Sequence, residues 1–212
     1  SYTFSDIIIE IDGLVYSTLY NEKKTINQYI IGPLLDHEEI LFEKLLGSFT
    51  VKVITLNATY FFSDNSGMKS LYYDQHNIHN HLVNFKDISK KNIHFQSITE
   101  YIFMGIYLTN QTNFDSIKRL HKSEYLKVVD STLKVLDKNL TALNNPINNI
   151  NLIDSLTAFV KSYSNRNISL DLTGGFDSRF LISVLSYFGL KFETAISGVQ
   201  DHPDITIAKR IA

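Results

Sequence analysis

The sequence predicts an α/β protein in two parts, a mainly β first part and then the opening of a parallel α/β domain; three observations carry that prediction. The first third alternates apolar and polar residues in short β-favourable runs separated by turn residues. The closing part reads strand, helix, strand, helix, and at this spacing the strands should be parallel with right-handed crossovers. Between the two lies Asn139 to Asn151, rich in asparagine and carrying a proline, which serves as the boundary.

Taken in order, Asp6 to Ile11, Asp12-Gly13 and Leu14 to Tyr20 predict a hairpin on a DG turn. Ile26 to Ile31 predicts a further strand ending at Gly32-Pro33. The period then changes over Asp36 to Leu46. Asp36 suits an N-cap, Glu39 stands three residues on, Ile40, Leu41, Leu45 and Leu46 cluster on one face, and Gly47 suits a stop, so a helix is expected. Ser48 to Leu56 and Thr59 to Ser63 predict a second hairpin around Asn57-Ala58, and a turn at Asp64 to Gly67 leads into Leu71 to Tyr73. Ser97 to Leu108 reads as a helix with Ile98, Tyr101, Ile102 and Gly105 on one face. Tyr125 to Leu136 fits a helix through Leu133, Leu136, Leu140 and Leu143, or a hairpin turning at Asp130-Ser131; its β-branched residues, together with the family resemblance of this segment given below, favour the hairpin. Leu152, Leu156, Phe159 and Tyr163 form one helical face. Ile168 to Leu172 predicts a strand, Phe180 to Phe188 a helix, Lys191 to Ile196 a second strand, and Pro203 to Ala212 a second helix with Pro203 at its first position.

Composition bounds the function classes. Apolar residues at 44% and charged residues at 20% describe an ordinary globular chain, and a net charge of −2 gives no reason to expect a nucleic-acid partner. The absence of cysteine excludes disulfides, thiolate metal sites and a cysteine nucleophile. No apolar run reaches the ~18 residues of a membrane span and no leader pattern opens the chain, so no membrane partner and a cytoplasmic location are expected. His76, His79 and His81 are spaced HxxHxH in a polar, asparagine-rich loop without an obvious carboxylate partner, which favours a solvated loop over a metal site.

The chemistry concentrates in Ser169 to Gly189, where a strand ends, a glycine turn follows and a helix begins. The first turn of a helix leaves backbone N–H groups unpaired and carries a partial positive charge, so Thr173, Gly174, Gly175 and Phe176 lie where an anion binds well. Two glycines let the backbone approach a phosphate, and the Thr173 and Ser178 hydroxyls can donate to its oxygens. Asp177 would repel a phosphate unless a cation stood between them, which implies Mg²⁺ on oxygen ligands. The same string also suits a plain tight turn in which Asp177 or Ser178 caps the helix. It is not a Walker A loop, because no lysine follows the second glycine.

The string LTGGFDSR resembles the SGGxDS signature of the PP-loop ATP pyrophosphatases, with Thr173 in place of the usual first serine. Its flanks are most similar to the asparagine synthetase family. Two further stretches share that look. EKLLGSFTVKVITLNATYFFSDNSGMKSLYY resembles the later half of the glutaminase domain, with Asn65-Ser66 where an Arg-Asp pair is usual, and Thr112 to Val128 resembles the segment that joins the two domains, with Ser123 replacing a glycine.

The resemblance implies an N-terminal α+β sandwich like that of the N-terminal nucleophile (Ntn) hydrolases over 1–138, a linker over 139–151, and the first part of a parallel α/β PP-loop domain over 152–212. It implies ATP and Mg²⁺, gripped by Leu172, Thr173, Gly174, Gly175, Asp177 and Ser178, with Asp177 on the metal and Ser197 and Gly198 at the adenine. The implied reaction attacks the α-phosphate with a small-molecule or peptide carboxylate, giving an acyl-adenylate that an amine donor captures. A homodimer is compatible with it. A glutaminase of this type uses an N-terminal cysteine, which this chain lacks. Ser1 could stand in as a nucleophile, but the segment before Asp36 is too short for the glutamine pocket, so the first domain is expected to be a degenerate scaffold. Two parallel strands leave much apolar surface uncovered, from which a longer protein is expected. Two other readings stay open, another PP-loop enzyme that modifies tRNA or makes NAD, and a non-catalytic nucleotide-binding relative.

Overall fold

The computed structural model describes residues 1–4, 6–17, 22–140, 152–199 and 202–211. The expected strand end at Tyr20, most of the Asn139 to Asn151 boundary and Ala212 lie outside the described residues. The chain forms two compact units, Ser1–Val15 with Glu22–Pro146, and Tyr16–Asn21 with Ile147–Ala212. The whole is a mixed α/β protein whose largest element is an antiparallel sheet.

That sheet has six strands. β1 (Tyr2–Phe4) pairs with the start of β2 (Ile7–Tyr16), β3 (Leu46–Ile54) with β4 (Thr59–Ser63), and β8 (Glu124–Val129) with β9 (Thr132–Asp137), in the order β1-β2-β3-β4-β8-β9. A small sheet, β5 (Tyr72–Tyr73), β6 (Ile78–His79) and β7 (Lys118–Arg119), has the order β6-β5-β7. Strand alternation gives the large sheet two apolar faces. Phe49, Val51, Val53, Phe62 and Tyr125 pack with Ile26, Ile30 and Ile31 of a helical segment. Phe61, Leu126 and Leu133 turn the other way and pack with Leu71, Tyr73 and Ile78 of the small sheet and its approach. The first unit is therefore three layers, helix, sheet and sheet.

Both hairpins expected around Asn57-Ala58 and Asp130-Ser131 form, the second on two left-handed residues, Asp130 at φ 46° and Ser131 at φ 63°. Other expectations are corrected. Asp12-Gly13 is not a turn: β2 runs straight through it, and Gly13 at φ 109° is glycine because a Cβ there would drive into the Ser48 carbonyl on β3. The hairpin lies earlier, where Phe4 faces Ile7. Ile26 to Ile31 is no strand. It belongs to a continuous helical run of α1 (Glu22–Ile26), a π-helical turn (Asn27–Ile31) and α2 (Gly32–Leu35), in which Pro33 sits in the first turn of α2. Burial of Thr25, Ile26, Ile30 and Ile31 follows helical spacing, and that packing overrides the β preference of isoleucine. Asp36 to Leu46 is not a helix beyond one 3₁₀ turn, Phe42–Lys44, since Leu41 and Leu46 of its supposed stripe are exposed and β3 already starts at Leu46. Gly47, at φ 127°, lies inside that strand.

α3 (Phe95–Met104) starts on His94, whose side chain accepts from the Ser97 N–H, and stops at Gly105 at φ 71°. On the face shared by Ile98, Tyr101, Ile102 and Gly105, Ile98 is half-buried and Tyr101 and Ile102 are exposed.

A buried polar knot ties the sheet to the 64–69 turn. The Asp64 carboxylate accepts from the N–H groups of Phe49, Ser66, Met68 and Lys69 and from the Ser66 hydroxyl, at 2.6 to 3.3 Å. Burial pushes its pKa up, but the bonds from Ser66, Lys69, Met68 and Phe49 outweigh burial and hold it below the usual carboxylate range. Lys138, just past β9, donates to the carbonyls of Ser63 at 2.6 Å and Lys122 at 2.8 Å and to Asn65 Oδ1 at 3.2 Å. Burial pulls the Lys138 ammonium down to about 8, against the upward pull of the Asp64 charge. The turn glycine's neighbours Asn65 and Ser66 thus serve the knot, and Asp64, which the sequence reading passed over, is its centre.

The second unit holds α4 (Leu152–Tyr163), β10 (Ser169–Asp171), α5 (Phe176–Tyr187), β11 (Glu193–Ala195) and α6 (Pro203–Ile211). β10 and β11 pair in parallel, with Ser169 opposite Glu193 and Asp171 opposite Ala195. Val160, Leu172, Val184, Leu185, Ile205 and Ala208 are buried. Among the described residues no helix is long and apolar enough to cross a membrane.

Candidate functional site

Leu172 closes the ladder: its N–H donates to the Ala195 carbonyl at 2.8 Å and its side chain is buried. It supports the loop from the core, and the exposed turn begins at Thr173. There the Ser178 hydroxyl reaches back from the first turn of α5, 3.2 Å from both the Thr173 N–H and the Thr173 hydroxyl and 3.1 Å from the Thr173 carbonyl. The Gly175 N–H donates to Thr173 Oγ1 at 3.2 Å, and Arg179 Nε donates to the Gly175 carbonyl at 3.1 Å. The Gly174 N–H donates to Asp204 Oδ1 on α6 at 3.1 Å.

The turn therefore gathers two hydroxyls beside a helix start. Gly175 is the N-cap residue of α5, extended at φ −71° and ψ 160°, and no side chain caps the helix. Among the described residues neither Asp177 nor Ser178 caps it; the Ser178 hydroxyl instead bonds back to Thr173 within the turn. The N–H groups of Phe176, Asp177 and Ser178 in the first turn keep their donor capacity for an outside acceptor, and the helix dipole adds to it. Asp177 is exposed, and its carboxylate has no hydrogen bond or ion pair among the described residues. First-turn amides and an exposed carboxylate without a partner among the described residues fit a polyphosphate with a divalent cation, on a turn tied internally by two hydroxyls 3.2 Å apart.

Ser197 and Gly198 follow the end of β11. Because β10 and β11 are parallel, their carboxyl ends coincide, and these exposed residues stand at the same end of the sheet as Thr173. Gly198 is at φ 152°, and a Cβ there would come to 3.3 Å from Ile205 Cδ1. Asp204 is the site residue that sequence reasoning missed. Its only signal is an acid after Pro203 in a first helical turn, and folding alone brings it to Gly174, 30 positions earlier.

In the first unit, His76, His79 and His81 line a cavity of about 560 Å³ with Glu10 and Asp12. Those carboxylates are engaged, Glu10 with Lys52 at 3.1 Å and Asp12 with Lys69 and Asn80 at 3.2 Å each. Among the described residues no group of three or more histidines and carboxylates is placed to hold a metal.

No family model and no curated protein matches the chain. Among solved structures it is similar to glutamine phosphoribosylpyrophosphate amidotransferase from B. subtilis complexed with ADP and GMP, with 12% identity over 91% of this chain and 46% of that one and a TM-score of 0.34. It is also similar to a structure described as the allosteric regulatory enzyme of purine biosynthesis, with 12% identity over 97% of this chain and 49% of that one, again at 0.34. The chain spans about half the length of these structures. Likeness at that level assigns neither family nor activity, and the functional reading rests on the loop.

Proposed function

We propose that the Thr173–Ser178 loop grips the pyrophosphate portion of ATP and that the protein is an ATP-dependent amide ligase of the asparagine synthetase type. The observation that carries this reading is the uncapped start of α5 at the carboxyl end of a parallel strand, with the Thr173 and Ser178 hydroxyls gathered beside it. The first-turn amides and the two hydroxyls hold phosphate oxygens, Asp177 takes Mg²⁺, and the backbone at Ser197 and Gly198 receives the adenine. Bound there, ATP would supply an α-phosphorus for attack by a carboxylate, with pyrophosphate leaving first and AMP leaving as an amine completes the amide. No cysteine in this sequence offers a thiol for releasing ammonia from glutamine, and free ammonia or an amine on the acceptor fits this reading better. The layered first unit serves as an Ntn-like scaffold.

Carboxylate-dependent exchange between ATP and labelled pyrophosphate tests this in the full-length protein. Exchange with at least one carboxylate is expected, falling by about 100-fold or more in Asp177→Ala, as for loss of a metal ligand at a phosphoryl centre. No exchange with any carboxylate, or an Asp177→Ala protein equal to wild type, overturns the reading. Normal MgATP binding without exchange marks a non-catalytic relative instead.

A further inference from the structure

The Gly174 amide differs from its neighbours in what it bonds. Thr173 and Gly175 find acceptors within the turn, on Ser178 and Thr173, whereas Gly174 donates to a carboxylate from another helix. The approach is close: a Cβ at Gly174 would come to 2.5 Å from Asp204 Oδ1 and 3.0 Å from Ile207 Cδ1. A side chain at Gly174 would therefore push the Asp204 carboxylate and the Ile207 methyl aside, with or without a ligand. The helix is anchored, with Ile205 and Ala208 buried, and its start is clipped by the Asp204 N–H donating to His202 Nδ1 at 3.3 Å. Asp204 is thus held at one end by its helix and at the other by the loop.

We propose that Asp204 is a positioning residue of the nucleotide loop. Its carboxylate holds the Gly174 N–H turned toward α6, and so fixes the turn, tied internally by the Thr173 and Ser178 hydroxyls, that leaves the first-turn α5 amides as the donors that face a polyphosphate. The same carboxylate lays a negative charge against the loop, which makes the cation on the phosphates necessary for tight binding. This inference rests on the nucleotide reading of the loop.

Two substitutions separate the bond from the charge. Asp204→Asn keeps an acceptor oxygen and removes the charge; Asp204→Ala removes both. In ¹⁵N-glycine-labelled protein, the Gly174 amide proton is expected to move upfield in Asp204→Ala and to stay near its wild-type position in Asp204→Asn, with Gly105 and Gly189 unmoved as folding controls. Affinity for MgATP is expected to fall about tenfold in Asp204→Ala, the size of one lost charge-assisted bond, and to hold in Asp204→Asn. Affinity for metal-free pyrophosphate is expected to rise several-fold in Asp204→Asn. A Gly174 signal indifferent to Asp204→Ala overturns the clamp and leaves the nucleotide reading standing. Failure of wild-type protein to bind MgATP, with the Gly174 signal responding as expected, overturns the nucleotide reading instead and with it the role given to the clamp.

Discussion

Replacing Lys138 by methionine keeps the length of the side chain and removes its ammonium. Three acceptors, the carbonyls of Ser63 and Lys122 and the Asn65 side-chain oxygen, lose their donor inside a knot where Lys138 is only 5% exposed. Hydrogen bonds from a charged donor are worth about 1.5–3 kcal/mol each, so their loss costs roughly 6 kcal/mol. Against this stands the penalty that burial puts on the charged form, net of the attraction of Asp64. A displacement from 10.5 to about 8, at about 1.4 kcal/mol per unit, sets it near 3 kcal/mol, and methionine relieves it. The difference predicts a net loss of about 3 kcal/mol. With a urea m-value of about 2 kcal/mol/M, the midpoint should fall by roughly 1.5 M. Near-UV circular dichroism reads it, carried by the tyrosines because the chain has no tryptophan. A Lys138→Met midpoint within about 0.3 M of wild type would refute the claim that these three bonds outweigh the buried charge.

The same lysine predicts a pH signature. Its folded pKa is below its unfolded one, so between about 8 and 10.5 the unfolded chain holds a proton that the folded chain has lost, and wild type should gain on Lys138→Met as pH rises through that window and run parallel to it below. Asp64 is lowered as well, but folding favours its charged form: that stability is present above 3.8 and lost as pH falls below it, so Asp64→Asn should flatten the acid limb of the stability profile measured by urea titration. Gly13→Ala should cost at least about 2 kcal/mol, since it combines a left-handed backbone with a clash against the Ser48 carbonyl, and thermal unfolding measures it. Ser131→Gly should stabilise the protein by about 0.5–1 kcal/mol in the same assay, because glycine accepts φ 63° without the steric cost that serine bears.

The elements legible in the sequence were those whose period and turn chemistry agreed. Val51, Val53, Tyr60 and Phe62 alternate on either side of a short turn, and Leu126, Val128, Leu133 and Val135 do so around Asp130-Ser131, so both hairpins could be read. Ile26, Ile30 and Ile31 could not, because a short apolar run has no period of its own, and packing into the core shared with the sheet decides that it is helical. Asp12-Gly13 misled for a related reason. Its glycine serves a neighbouring strand 35 positions later, and that approach leaves no local trace. At the loop, the strand, glycines and helix start were all local and readable, whereas Asp204 is a long-range partner. Asp64 likewise resembles any acid in a polar turn until five donors converge on it.

The order of the large sheet also has a kinetic meaning. The β3–β4 and β8–β9 hairpins close over a few residues each, but the seam between β4 and β8, where Phe61 meets Leu126, closes over roughly 60 residues that carry β5 to β7 and α3. By loop-closure entropy that seam costs about 2 kcal/mol more to nucleate than a hairpin does. The hairpins should therefore form first and the seam should gate the sheet, so that truncating Leu126 slows refolding while truncating Val135 at the far edge mainly hastens unfolding.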